Sequence, residues 1–266
     1  VENYFPARDT LLPDSASGFE ILSKTNLPDD LKGISAISFI DDEHIACLTN
    51  ETGSIRIYNM RTGTTDRELP FAPPGNYEAL AIVNETAYIG CADGRIFEVD
   101  GYNTPEPQIK EYGTPLTIKQ QLSGLCFDKK NNRLLVTIRE KDPGSQFYKG
   151  IYAFDLSTKQ MPVIPVIRIN LQDSIFGKSV RNLQSVFQPA DIACRESTGE
   201  FFLPDGNRPR VVVLDEKGET KKVLPLDKSE FSQPEGMSFS ASGEAWICNA
   251  GEKDQPATLI KIRIAD

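Results

Sequence analysis

FSQPEGMSFSASGEAWICNAG, residues 231–251, reads as a short strand, a tight turn on Ala-Ser-Gly and a second strand. Beyond Glu235 apolar and polar residues alternate, the period of a half-buried strand. The pattern returns upstream in LKGISAISFI from Leu31, NYEALAIV from Asn76, QLSGLCFD from Gln121 and QPADIACR from Gln188. After turns such as Asp-Asp, Lys-Asn-Asn or Ser-Thr-Gly, each is followed by a second apolar run, HIACLTN or RLLVTIRE for example. A third run comes next, such as GIYAFDL or RVVVLDE, and often a fourth, such as TDRELPF or ETKKVLPL. Four strands per repeat is the signature of a β-propeller.

With Ser35, Glu78, Ser123, Asp191 and Glu235 taken as equivalent, the intervals are 43, 45, 68 and 44 residues. Units of about 40–50 residues match propeller blades, and the long interval holds an insertion. The expectation is an all-β propeller of five four-stranded antiparallel blades, or six if the insertion conceals a degenerate unit. The last unit ends at its third strand, TLIKIRI, while FEILSKT from Phe19 has the pattern of a fourth. Using the N-terminal strand to close the ring removes an exposed sheet edge. Residues 1–17 are then an N-terminal extension and 18–266 a single propeller domain.

Composition narrows the function classes. Of 266 residues, 39% are hydrophobic and 25% charged, and no apolar run approaches the length of a membrane helix. The net charge of −9 disfavours nucleic acid or an anionic membrane as partner and favours a cation or a neutral ligand. A monomer is expected. Cys47, Cys91, Cys126, Cys194 and Cys248 are widely spaced within apolar runs, as buried thiols rather than a zinc site or disulfide framework. His44, the only histidine, sits at the start of a second strand, which excludes a histidine-rich metal site.

Successive strands of a meander are antiparallel, so first-strand starts and second-strand ends share one mouth of the channel. The first group supplies Glu78, Asp191 and Glu235. The second supplies Asn50, Glu51, Asp93, Arg139, Glu140, Asp205, Asn207 and Asn249. An oxygen-rich rim of this kind suits a hard cation such as calcium, with Glu78, Asp191, Glu235 and Asn249 as ligands. Alternatively the acids accept hydrogen bonds from strand-edge amides and pair locally. Glu78 and Glu235, with Asp191 as a third, also suit the carboxylate pair that glycoside hydrolysis uses, with Tyr77, Phe147, Tyr148 and Phe187 near the mouth to stack on sugars. Trp246, in mid-strand, is read as core. The third unit's loop REKDPGSQFYKG and the insertion QDSIFGKSVRNLQSVFQ fall at the same mouth, the latter spaced as a short helix behind a cap at Asp173.

LPDDLKGISAISF, NYEALAI, LSGLCFD and SQPEGMSFSASGEAWI together resemble the SdiA-regulated family of bacterial β-propellers, and more widely NHL and lactonase-type propellers. The resemblance runs from about Leu27 to Ile264. It implies a propeller in an exported protein, periplasmic or lipid-anchored at the cell surface, with no assigned reaction. Likeness to lactonase-type propellers implies a central metal held by Glu235, Asn249 and Asp191 or Glu78. Ser35, Ser123 and the Ala-Asp of the fourth unit depart from the pattern. The expected function is binding of a small ligand or protein at the acidic mouth, with or without calcium. A metal-dependent lactone or ester hydrolase and a glycosidase are the enzymatic alternatives, and whether any reaction is catalysed stays open.

Overall fold

The structure is a computed structural model describing residues 18–177 and 182–265; the N-terminal extension 1–17 lies outside the described residues. It opens with β1 (Phe19–Asn26). Blade 1 is β2 (Ile34–Phe39), β3 (His44–Thr49), β4 (Ser54–Asn59) and β5 (Thr64–Pro70). Blade 2 is β6 (Tyr77–Val83), β7 (Thr86–Cys91), β8 (Ile96–Asp100) and β9 (Gln108–Tyr112). Blade 3 is β10 (Leu122–Asp128), β11 (Arg133–Ile138), β12 (Tyr148–Asp155) and β13 (Ile167–Asn170). Blade 4 is β14 (Ala193–Arg195), β15 (Glu200–Pro204), β16 (Arg210–Leu214) and β17 (Thr220–Pro225). Blade 5 is β18 (Pro234–Phe239), β19 (Ala245–Asn249) and β20 (Thr258–Ile264), completed by β1.

Each blade is a four-stranded antiparallel sheet, and the first strands β2, β6, β10, β14 and β18 neighbour one another in turn around the centre. The fold is therefore a five-bladed propeller. β1 pairs with β20 from Phe19 opposite Ile264 to Asn26 opposite Thr258, so the first strand of the chain completes the last blade.

Every blade is sandwiched between two others, which explains why the second strands are apolar on both faces. In β3, Ile45 and Cys47 pack toward blade 5, whereas Ala46 and Leu48 pack toward blade 2. Five apolar clusters result, one per blade interface. Trp246 belongs to the cluster between blades 5 and 1 and stacks on Phe39 at 5.4 Å. All five cysteines are free thiols; Cys194 is half-buried and the rest are buried.

The insertion between β13 and β14 departs from expectation. Asp173 does cap, accepting from Ile175 N, but only a 3-10 turn, Ser174–Phe176; a second follows at Leu183–Ser185. Phe176, Val186 and Phe187 are buried in the cluster between blades 3 and 4, and Phe176 stacks on Phe187. Among the described residues the segment is a core element, not a helix over the mouth.

Candidate functional site

The repeated position at the start of each first strand is a β-bulge. Pairing slips by one residue at Ser35, Glu78, Ser123 and Glu235. An extra residue of this kind bends the strand and re-aims its side chain. In blade 4 the bridge Pro189 to Asp205 is followed by Ala193 opposite Phe202, so one residue slips between them. Gly124 faces Asp191 Cα and Ile192 N as Gly236 faces Ala36 Cα and Ile37 N, which matches Asp191 to Ala36 and the slip to Ala190. Asp191 thus stands one residue further on, where the other blades have Ala36, Ala79, Gly124 and Gly236. Those positions are small because the next blade approaches closely. A Cβ on Gly236 would lie 2.9 Å from Ile37 N, and one on Gly124 would lie 2.7 Å from Asp191 Cα.

The bulge residues divide by chemistry. Ser35 Oγ donates to Tyr77 O and Ser123 Oγ to Pro189 O, each tying one blade to the next. Glu78 and Glu235, from blades 2 and 5, instead turn to one guanidinium of blade 3: Arg139 Nη2 is 3.0 Å from Glu235 Oε2 and 3.9 Å from Glu78 Oε2. Beside them Asp191, 1% exposed, accepts from Met237 N of blade 5 at 2.9 Å.

Burial is the dominant influence on all three carboxyls and pushes them above the usual carboxylate range. At Glu78, Arg139 pulls back and the charge of Glu235 pushes further; at Glu235, Arg139 and the Gln233 side chain pull back. At Asp191 the shift is large, although the amide of Met237 favours its ionised form. Asp191 Oδ1, Arg139 Nε and Asn249 Oδ1 are buried without a hydrogen-bond partner among the described residues. Buried polar atoms are nearly always paired, so three orphans at one mouth need an explanation.

The remaining rim residues are placed differently. Asn249 lies opposite Pro234, next to the Glu235 bulge, and its Nδ2 donates to Thr258 Oγ1 at 3.0 Å. Asp205 is buried in an ion pair with Arg210 at 2.9 Å. Asp93 is paired with Arg95 at the surface, Glu51 is exposed, and Glu140 Oε1 accepts from Gln188 Nε2. Tyr77 and Phe187 are buried and Tyr148 carries Arg168 on its ring at 5.5 Å, which leaves Phe147 as the exposed aromatic of the four. Glu78, Glu235, Arg139 and Asp191 are the residues that converge.

A second, unanticipated network supports Arg139. Lys149 is fully buried, with Nζ donating to the carbonyls of Arg139 at 3.0 Å, Glu140 at 2.5 Å and Gln184 at 3.4 Å. Asp142 accepts from Gly144 N, Gly150 N and Tyr152 Oη, and Gln184 Oε1 accepts from Asp142 N. The loop after β11 and the insertion are thereby clamped together. Desolvation brings the Lys149 amine down to about 8 from an ordinary 10.5. Its folded pKa lies below its unfolded one, so between these values the unfolded chain binds more protons and this group adds stability as pH rises. Lys149→Met leaves three carbonyls without a donor and is expected to cost about 2–3 kcal/mol in urea unfolding at pH 7. The gap to wild type should widen between pH 8 and 10; a gap that narrows would contradict the assignment.

No protein-family model matches the sequence, and no curated protein matches it either. Solved structures do. The glutaminyl cyclase of Myxococcus xanthus aligns with a TM-score of 0.64 at 14% identity, over 93% of this chain and 97% of that one. Streptogramin B lyase aligns at 0.50 and 12% identity, over 92% and 98%, and the RRP9 WD40 repeats at 0.53 and 13%, over 90% and 97%. At these identities the likeness is one of fold alone, that of a β-propeller.

Proposed function

We propose that this is a ligand-binding propeller whose upper mouth receives the ammonium or guanidinium head of a small molecule through Glu235, Glu78, Asp191 and Asn249. The observation that carries the reading is a deficit of donors and of positive charge. Two carboxyls, Glu78 and Glu235, share one guanidinium, Asp191 beside them is bonded to a backbone amide and to no cation among the described residues, and two of the orphaned atoms, Asp191 Oδ1 and Asn249 Oδ1, are acceptors. Burial raises these carboxyls above their ordinary range, and a bound cationic donor would draw them back toward the ionised form. The sequence resemblance supports an SdiA-regulated-type protein working outside the cytoplasm, where small amines are met directly.

Calcium is the second reading, favoured by an all-oxygen donor set. As the side chains stand they do not fit it: a guanidinium lies on Glu235 and Glu78, and among the described residues no three His, Cys, Asp or Glu are grouped to hold a metal. The side chains at the mouth therefore give metal-assisted lactone or ester hydrolysis no support. A glycosidase is disfavoured by the same arginine, which bridges the two acids where a glycosidic oxygen would have to reach them.

The test is thermal unfolding with butylamine, agmatine and calcium chloride in turn. Native-specific binding raises stability by about 2.7 kcal/mol at ~100 times the dissociation constant. An amine is expected to stabilise the wild type, weakly or not at all Glu235→Gln, and more strongly Arg139→Met, whose competing cation is gone. Glu244→Gln, at the opposite end of blade 5 and paired with Lys261, should leave the response unchanged. Stabilisation by calcium alone would select the second reading; no response to any of the three would remove the mouth as a cation site.

A further inference from the structure

Below the carboxylates the first strands line a cavity of about 350 Å³, to which each blade contributes one apolar residue, Ile37, Leu80, Leu125, Ile192 and Met237, that also packs between blades. Its walls are the lower halves of the first strands. The next tier down is small, Ser38, Ala81, Cys126, Ala193 and Ser238, and the tier below it carries Phe39, Phe127 and Phe239. The volume is within the range of about 300–1,000 Å³ that small-molecule sites occupy.

Each first strand ends its sheet, so alternate N–H groups point into the channel with no strand to receive them. Two are met by serines of the preceding blade: Ile82 N donates to Ser38 Oγ at 3.1 Å, and Phe39 N to Ser238 Oγ at 2.9 Å. The equivalent N–H groups belong to Phe127, Cys194 and Phe239, and the residues standing where the serines stand are Ala81, Cys126 and Ala193. Alanine has no acceptor to offer. The cavity lining is mixed, with Arg195 and Glu196 among its residues, and it carries donors in the N–H groups of Phe127 and Phe239, which face alanines, and in the hydroxyl protons of Ser38 and Ser238.

We infer that this lower cavity is a second ligand site, independent of the acidic mouth, for a small monocarboxylate with an apolar or aromatic body. The carboxylate oxygens take the inward N–H and hydroxyl donors, and the body packs among Phe39, Phe127 and Phe239. Among the described residues its lining includes none of Glu78, Asp191, Glu235 and Asn249, so the two sites share no side chain.

The experiment is calorimetric titration with benzoate, with benzyl alcohol as a ligand of the same shape lacking the acceptor pair, in wild type, Glu235→Gln and the double variant Ala81→Ser/Ala193→Ser. The added hydroxyls copy Ser38 and Ser238 and would cap the N–H groups of Phe127 and Phe239. Expected are saturable benzoate binding, unchanged by Glu235→Gln, at least tenfold weaker in the double serine variant, and at least tenfold weaker for benzyl alcohol. Urea midpoints at or above wild type would show that the double variant is folded. Absence of saturable binding, equal affinity in the double variant, or equal affinity for benzyl alcohol would each overturn the assignment; loss with Glu235→Gln would move the site to the upper mouth.

Discussion

Arg139→Met should destabilise the protein by about 3 kcal/mol at pH 8 and by only about 1 kcal/mol at pH 5. The substitution keeps most of the side-chain volume and removes the one cation that, among the described residues, faces Glu78 and Glu235, whose side chains are 9% and 13% exposed. Both carboxyls already sit above their ordinary range because of burial, with Arg139 the main influence pulling them back. Without it they rise further, each repelled by the other. For an acid raised in the folded state, both states are protonated at low pH and nothing is lost. As pH climbs past the unfolded value near 4.5, the unfolded chain ionises first, and stability falls until the folded pKa is passed. The variant's deficit therefore grows from about pH 5 upward, whereas a guanidinium that merely packed would leave a deficit independent of pH. Chemical denaturation at the two pH values distinguishes these, and a flat profile would end the idea that the mouth is an electrostatic site.

The same cluster shows how far a sequence can be read. Glu78 and Glu235 stand out because they interrupt an otherwise apolar strand, and strand alternation places them at one mouth with Arg139. What the alternation hides is the bulge: a slip of one residue leaves the apolar period almost intact yet decides which side chain turns inward. The Gln-Pro pairs at 188 and 233 mark the true equivalence, Ala190 with Glu235 and Asp191 with Gly236. Matching acid to acid sets Asp191 beside Glu235 by the wrong register, and its role as acceptor for the next blade's Met237 N–H emerges only with the blades packed. Ser35 and Ser123, which break the acidic pattern, are the residues that stitch neighbouring blades. Lys149 gives no signal at all, because a lysine starting a strand reads as surface until the loop and the insertion fold over it. The insertion misleads in the opposite sense: its apolar spacing comes from burial between blades 3 and 4 rather than from helical period.

Deletion of residues 1–26 should abolish the cooperative fold, and adding a peptide of residues 18–26 should restore it. β1 is the outermost strand of blade 5, paired along its length with β20, and Phe19 and Ile21 pack on the cluster between blades 4 and 5. A ring closed by joining the first strand of the chain to the last blade couples every blade interface to one pairing. Without β1, blade 5 presents the β20 edge, with Ile260, Ile262 and Ile264 beside it, a template for pairing with another chain. The truncated protein is expected in the soluble aggregate or void fraction on size exclusion, while the full chain elutes in a single included peak. Register gives the peptide its specificity: Glu20 faces Arg263 across the pair, and Asn26 faces Thr258. A one-residue shift would turn Ile21 outward and Glu20 into the cluster. A peptide with Ile21 and Glu20 exchanged should therefore fail where the native one rescues. A truncated chain that stays monomeric, with an unfolding midpoint within error of the full chain, would show that four complete blades and three strands hold the ring by side-chain packing alone, and β1 would then be a cover for an edge and not its lock.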